Sequence, residues 1–341
     1  MRPTNRFLAR ASLRSVARLP RYFAAGDGML DSLANAAIAV RRWPETVVYD
    51  ISFGRLPNYV NPRTYTEKIQ WRKMFDRNPE LAIWCDKLAA RELAKKRAPG
   101  ILLAKLLWSG TDPDAIPLTE LTPPFVIKAN NRSGALIFVR TDADLEERRI
   151  RSICRGWMQA SVHRRRVYEW GYGRVATKIF IEEFISRPGV LESPPDLKVW
   201  VFNGNVRYFY YRDVLEGRAG VFTPEWEQYQ WDRWGRMNVV RRIHHHANVA
   251  APKDLAAIIE AAQQIAAGLD HLRVDLYEID GAIYFGEGTV YPSSGHRMWI
   301  HHNAICDPDP PDDIDREFST HWDLPAIPKR TMLRRGLSLL W

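Results

Sequence analysis

The sequence predicts an α/β (α+β) protein with a helical N-terminal region. Three observations carry this. Helical segments with recognisable start and stop signals precede residue 100. Short apolar strands dominate from Phe125 onward, and the dipeptides Asn203-Gly204 and Asp280-Gly281 mark tight β-hairpins. An amphipathic helix over residues 252–269 then stands directly before the second hairpin.

The chain begins with a basic arm. Arg2, Arg6, Arg10, Arg14 and Arg18 recur at a spacing of four, and no acidic residue appears before Asp27. That spacing draws one slowly drifting helical stripe. It reads either as a basic helix on an anionic membrane or partner, or as a solvated extension. Nucleic acid is disfavoured, because the arginines lack interleaved aromatics for stacking bases. The whole chain carries a net charge of +9. Cys85, Cys154 and Cys306 are scattered and odd in number, which excludes a disulfide framework and points to a reducing cytoplasm. No apolar run reaches membrane-spanning length, and the N-terminus lacks the apolar centre of a secretory signal.

After the arm, residues 29–40 read as an Ala-rich helix and 55–62 as a Pro/Asn-rich connector. Thr64 and Thr66 before Glu67 signal a capped helix to Phe75. Residues 81–96 read as one helix with Asp86-Lys87 in its middle and Pro99-Gly100 as its stop. Pro-rich turns over 112–124 deliver the chain to a strand at 125–128, a turn at 130–134 and a returning strand at 135–139. Residues 142–161 are helical in character, and 177–185 form a further strand. Residues 197–202 and 206–211 flank Asn203-Gly204 as a hairpin. The expected organisation is an arm and helix (1–54), a helical subdomain (55–122), a lid subdomain (123–186), a catalytic subdomain (187–305) and a C-terminal tail (306–341).

The chemistry concentrates in the last hairpin. Side chains alternate faces along a strand, so Arg273, Asp275 and Tyr277 share one face, and Glu287 and Thr289 share one face of the partner. A two-residue turn would pair Ile279 with Ala282 and set the two carboxylates on opposite sides. A three-residue loop ending in left-handed Gly281 would pair Glu278 with Ala282 and set Arg273 against Glu287; this is the expected geometry. Two carboxylates so held can take Mg²⁺ against phosphate oxygens beside an Arg. The competing reading is a hairpin with a surface ion pair.

Three further pieces are ambiguous alone. Lys128 enters the Ser133-Gly134 turn, whose backbone N–H groups suit phosphate or serve an ordinary turn. Glu182-Glu183 sit in an apolar strand, where hydrogen-bond donors of adenine and ribose would offset burial, or they face solvent. Lys198 lies in an otherwise apolar strand with the same two readings.

In order and spacing, these pieces resemble the ATP-grasp superfamily, and more closely its TupA-like branch of teichuronopeptide and cell-surface polysaccharide pathways. The resemblance rests on the Pro-Arg-Thr-Tyr-Thr-Glu-Lys-Ile-Gln-Trp run at 62–71, Asp-Arg-Asn-Pro at 76–79, Asp86-Lys87, Phe-Val-Ile-Lys at 125–128 and Ser133-Gly134. It continues through Ile-Glu-Glu-Phe at 181–184, Asp-Leu-Lys-Val-Trp-Val-Phe-Asn-Gly at 196–204, Arg-Val-Asp-Leu-Tyr at 273–277 and Phe-Gly-Glu-Gly-Thr at 285–289. It implies an ATP-grasp fold with ATP and Mg²⁺ as cofactors. Lys128 and Lys198 would contact phosphates under a lid at Ser133-Gly134. Glu182 or Glu183, with the backbone of Phe184, would hold adenine, and Phe285 would floor its pocket. Asp275 and Glu287 would ligate Mg²⁺, with Arg273 beside the transferred phosphoryl group. Where the superfamily places Asn two residues after the second metal carboxylate, this chain has Thr289, which puts that third ligand in doubt; Leu197 stands where the branch tends to carry Tyr.

The implied activity is carboxylate–amine ligation through an acylphosphate, acting on a small-molecule or glycan substrate. Alternatives are an ATP-dependent sugar kinase, a glycosyltransferase using Asp307-Pro-Asp309, or a non-enzymatic scaffold on the inner membrane surface. His296 and Arg297, with His301 and His302, are candidate substrate contacts, since an Arg can hold a carboxylate. Trp226, Tyr229, Trp231 and Trp234 read as core packing before they read as a sugar platform, and His244, His245 and His246 as incidental clustering.

Overall fold

The computed structural model describes residues 5–24, 28–159, 169–229, 249–296 and 312–337. Four helices open the chain: α1 (Asn5–Arg18), α2 (Arg21–Ala24), α3 (Met29–Arg41) and α4 (Trp43–Phe53). Helix α5 (Tyr65–Phe75) is nearly all buried and begins with the expected capping box, in which Thr64 and Glu67 satisfy each other's backbone N–H groups.

The helix expected over 81–96 is two helices. α6 (Glu80–Trp84) ends before Asp86, which caps α7 (Lys87–Arg97) by accepting from the Leu88 N–H at 3.0 Å. A short carboxylate competes with the backbone for hydrogen bonds and so favours a cap over a helix interior. Asn130 Nδ2 also donates to Asp86 at 3.0 Å, tying the break to the distant β-region.

Two antiparallel sheets follow. The smaller contains β1 (Leu106–Gly110), β2 (Phe125–Ala129), β3 (Leu136–Val139) and β4 (Ile179–Glu183) in the order β1-β4-β2-β3. Strand β1 lies in the stretch expected to be helical subdomain. It is a half-exposed edge strand, and Leu-Leu-Trp-Ser-Gly shows no period-two pattern to announce it. Phe125, Ile127, Ile179 and Ile181 pack with Ile150 and Cys154 of α8 (Glu147–Gln159) into a small core.

The larger sheet holds β5 (Asp196–Phe202), β6 (Asn205–Asp213), β7 (Arg218–Phe222), β8 (His271–Ile279) and β9 (Ala282–Thr289) in the order β7-β6-β5-β8-β9. The turn at Asn203-Gly204 has positive φ at both residues, as that dipeptide favours. Helix α9 (Leu255–Ala266) packs on the sheet through Ile258, Ala262 and Ile265. The linker from Ile101 to Lys105 joins the sheets: the Leu102 N–H donates to Ile283 O on β9 at 2.7 Å, and Lys105 O accepts from Glu183 N–H on β4 at 3.0 Å.

The segment expected as a C-terminal tail belongs to the body from α10 (Asp312–Thr320) onward. Phe318 and Trp322 are fully buried in the main core, and Asp315 accepts from Thr66 N–H at 2.8 Å. Helix α11 (Lys329–Leu337) packs on α3 and α5. Trp226 and Tyr229 pack against the main core, with the Trp226 ring stacked on Phe222 at 4.3 Å, as the core reading expects. Trp231, Trp234, His244, His245, His246, Asp307 and Asp309 lie outside the described residues.

Candidate active site

The β8–β9 hairpin corrects the expected register. Ile279 pairs with Ala282, so the turn has two residues, with Asp280 at φ 53° and Gly281 at φ 89°. By itself this would set Glu287 opposite Val274, on the face away from Asp275. A bulge restores the match: Leu276 pairs with Phe285, but Asp275 pairs with Glu287, leaving Gly286 extra. A Cβ at Gly286 would stand 2.8 Å from the Tyr277 ring and 3.1 Å from Asp275 O, so the bulge requires glycine. Arg273 therefore faces Thr289, where Glu287 was expected. Phe285 faces Leu276, on the side away from Asp275, and packs against Trp84 at 6.4 Å.

Around the hairpin, cations converge. Arg273 donates from Nε and a terminal nitrogen to the two oxygens of Asp275, both at 2.7 Å, and to Thr289 Oγ1 at 3.0 Å. Lys198, directly across the ladder on β5, donates to Asp275 Oδ2 at 3.0 Å and also pairs with Asp196. Glu287 accepts from Lys87 Nζ at 2.7 Å. Burial pushes the Asp275 carboxyl up, but Arg273 and Lys198 outweigh it and hold the group below its ordinary value. Glu287 is likewise raised by burial and brought below its ordinary value by Lys87. Burial lowers Lys198, but Asp275 and Asp196 raise it above its ordinary range, so it stays charged.

The second wall comes from the small sheet. Lys128 Nζ donates to Glu182 Oε1 at 2.5 Å, and Arg91 of α7 reaches Glu182 Oε2 at 3.5 Å. Lys87, Arg91, Lys128, Glu182, Phe285 and Gly286 line one narrow cleft between the sheets. Adjacent strand residues point to opposite faces, and Glu182-Glu183 divide accordingly. Glu182 faces the cleft, while Glu183 accepts from the Lys105 N–H at 2.8 Å. The Phe184 N–H donates to Pro124 O at 3.3 Å, and its ring meets Phe138 edge-on at 5.7 Å. Ser133 and Gly134 are exposed at the tip of the β2–β3 turn, with Gly134 at φ 71°. His296 is drawn elsewhere, its Nε2 2.8 Å from Glu45 Oε1 beside the Lys73–Glu45 pair. Arg297, His301 and His302 lie outside the described residues.

Lys87 is the site residue that sequence reasoning gave no role. Its only local signal is Asp86 as a helix cap, which sets Lys87 at the first turn of α7. The partner Glu287 is two hundred positions away, a separation that no spacing rule spans. The donor set fits a hard cation: two anionic carboxylates opposite each other, with a hydroxyl beside them. Among the described residues no three His, Cys, Asp or Glu side chains converge. Lys87, Lys128 and Lys198 are the lysines this region brings together, each paired with a carboxylate.

The TupA-like ATPgrasp family model matches residues 67–303, and the chain belongs to that family, as its motifs suggested. No curated protein matches. Among solved structures, a D-alanine–D-alanine ligase from Bacillus anthracis complexed with ATP is 16% identical over 61% of this chain and 53% of its own, with TM-score 0.35. A phosphoribosylamine–glycine ligase from Thermotoga maritima is 16% identical over 67% of this chain and 53% of its own, with TM-score 0.38. An L-amino acid ligase from Bacillus licheniformis is 15% identical over 60% of this chain and 42% of its own, with TM-score 0.35. The chain thus spans about half the length of these structures.

Proposed function

We propose that this protein is an ATP- and Mg²⁺-dependent carboxylate–amine ligase of cell-surface polysaccharide biosynthesis, joining an amino acid to a uronic-acid-containing glycan or precursor. One observation carries the reading: Asp275 stands opposite Glu287 on the β8–β9 hairpin, with Lys198, Arg273 and Lys87 as neighbours. Membership of the TupA-like ATP-grasp family supports the reaction class.

The balanced reaction transfers the γ-phosphoryl group of ATP to a carboxylate oxygen, releasing ADP. An amine then attacks the acyl carbon and expels inorganic phosphate as the amide forms. Lys128 and Lys198 hold phosphate oxygens from the two sheets. Arg273, fixed by two hydrogen bonds to Asp275, presents its charge at the hairpin without further ordering. Asp275 and Glu287 would hold Mg²⁺, which supplies charge neutralisation across the phosphates. The exposed Ser133-Gly134 turn would cover the cleft and exclude water from a labile acylphosphate.

A nucleotide-turnover screen over amino acids and uronic acids tests this. ADP release dependent on both a carboxylate and an amine is expected, and Asp275→Asn and Glu287→Gln should each abolish it. Phosphorylated sugar formed without amine would replace the ligase with a kinase. Wild-type turnover in both variants would overturn the metal assignment.

A further inference from the structure

The N-terminal helices carry apolar side chains on both faces. On α3 the buried face mixes Asp31, Ser32 and Asn35 with Ala34, Ile38 and Ala39, while Leu30, Leu33, Ala37 and Val40 form an exposed stripe at spacings of three and four. Leu30 is 81% exposed and Val40 59%. Helix α4 repeats the pattern, burying Glu45, Thr46 and Asp50 beside Val47, Tyr49 and Phe53 and exposing Val48 and Ile51. On α1, Ser15 is buried while Leu13 and Val16 are exposed. The buried polar groups are satisfied from within. Ser15 and Arg18 donate to Asp50, Asn35 accepts from Tyr59 and Val60 N–H, and Lys329 and Asn61 donate to Asp31.

These faces are contiguous. α1 packs on α4, α4 on α3, and α3 on α11, which exposes Leu333 and Leu337. Of the 18 large apolar side chains exposed among the described residues, 11 lie on α1 to α4 and α11, so the patch is concentrated and not scattered. A concentrated patch of this kind marks a surface that is covered in use. Charge identifies the cover. Every acidic residue of α1, α3, α4 and α11 is buried, whereas Arg14, Arg41, Arg330 and Arg334 are exposed. The chain also carries Arg2, Arg6 and Arg10 ahead of any acidic residue. An apolar face edged with guanidinium groups and free of exposed carboxylates is complementary to the interface of an anionic bilayer.

We propose that the outer face of α1, α3, α4 and α11 docks flat on an anionic lipid surface, apolar stripes in the headgroup region and arginines on lipid phosphates. Among the described residues no helix is long and apolar enough to cross a membrane, so the contact is interfacial. This inference is independent of the reaction, since vesicle binding requires no nucleotide.

The test is co-sedimentation of the full chain with phosphatidylcholine vesicles, with and without phosphatidylglycerol. Binding is expected to the mixed vesicles and to be much weaker to phosphatidylcholine alone. Leu30→Ser with Leu33→Ser should reduce binding roughly tenfold or more, given the transfer energy of two leucines. Val48→Ser with Ile51→Ser, on the neighbouring helix, should do the same and decides the matter if the first variant unfolds. Absence of wild-type binding overturns the proposal, as does wild-type binding by both variants. A wild-type dimer that the variants split, without vesicle binding, would assign the face to a second copy and also overturns it.

Discussion

Asp275→Asn is the perturbation on which the site stands or falls. Asp275 is 7% exposed at its side chain, and its partners Arg273 and Lys198 are 13% and 20% exposed. Losing its charge leaves two largely buried cations facing each other, with Asp196 paired directly to Lys198. Removing one partner of a buried ion pair costs about 3–5 kcal/mol. Asparagine keeps a carbonyl oxygen for Arg273, so the lower end, ~3 kcal/mol, applies. Arg273→Met removes one of the stranded cations, so the double variant should be less destabilised than the sum of the singles by ~1–3 kcal/mol. Urea unfolding followed by circular dichroism measures all four chains. A cost below ~1 kcal/mol for Asp275→Asn, or additivity within ~0.5 kcal/mol, would refute the buried network.

Lys87→Met removes the cation beside Glu287 and from the cleft, and should raise the apparent KM for ATP roughly tenfold or more, read in a coupled ADP assay. Gly288→Ala would set a Cβ 2.3 Å from the Trp84 ring, and overpacking of that kind should cost ~1–3 kcal/mol in thermal or urea unfolding. His271 is fully buried, with Nδ1 2.8 Å from Val201 O and Nε2 3.0 Å from the Tyr65 hydroxyl. Burial, then the Arg72 charge, hold its imidazole well below 6.5. Below about pH 6.5 the unfolded chain takes up a proton there that the folded chain does not. Stability should therefore fall with pH by up to ~1.4 kcal/mol per unit until the folded imidazole titrates. A pH series of urea midpoints should show a shallower acid slope for His271→Gln than for wild type.

Legibility varied with the range of the interaction. The capping box at Thr64 and Glu67, the Asn203-Gly204 turn and the helix before β8 depend on neighbours within a few residues, and each was read correctly. The helix break at Asp86 was misread because a capping carboxylate and an interior one look alike until Asn130 arrives to hold it. Strand β1 escaped because edge strands with mixed exposure lack a clean alternation. The carboxylate pairing was anticipated with the wrong turn. Gly286 was legible as a glycine, but not as a bulge that offsets the two-residue turn.

By itself the sequence determined the element types, the motif order of the family and the chemistry on offer: two carboxylates, two lysines and an arginine. Those follow from local periodicity, capping and residue identity, which act within a turn or a strand. Only tertiary structure decided that Lys87 meets Glu287, that Glu182 rather than Glu183 faces the cleft, and that α10 and α11 close over α5. It also decided that the first helices leave apolar side chains such as Leu30, Leu33 and Val48 exposed. Such pairings depend on which surfaces the long-range packing brings within a few ångströms, and chain separation does not encode that distance.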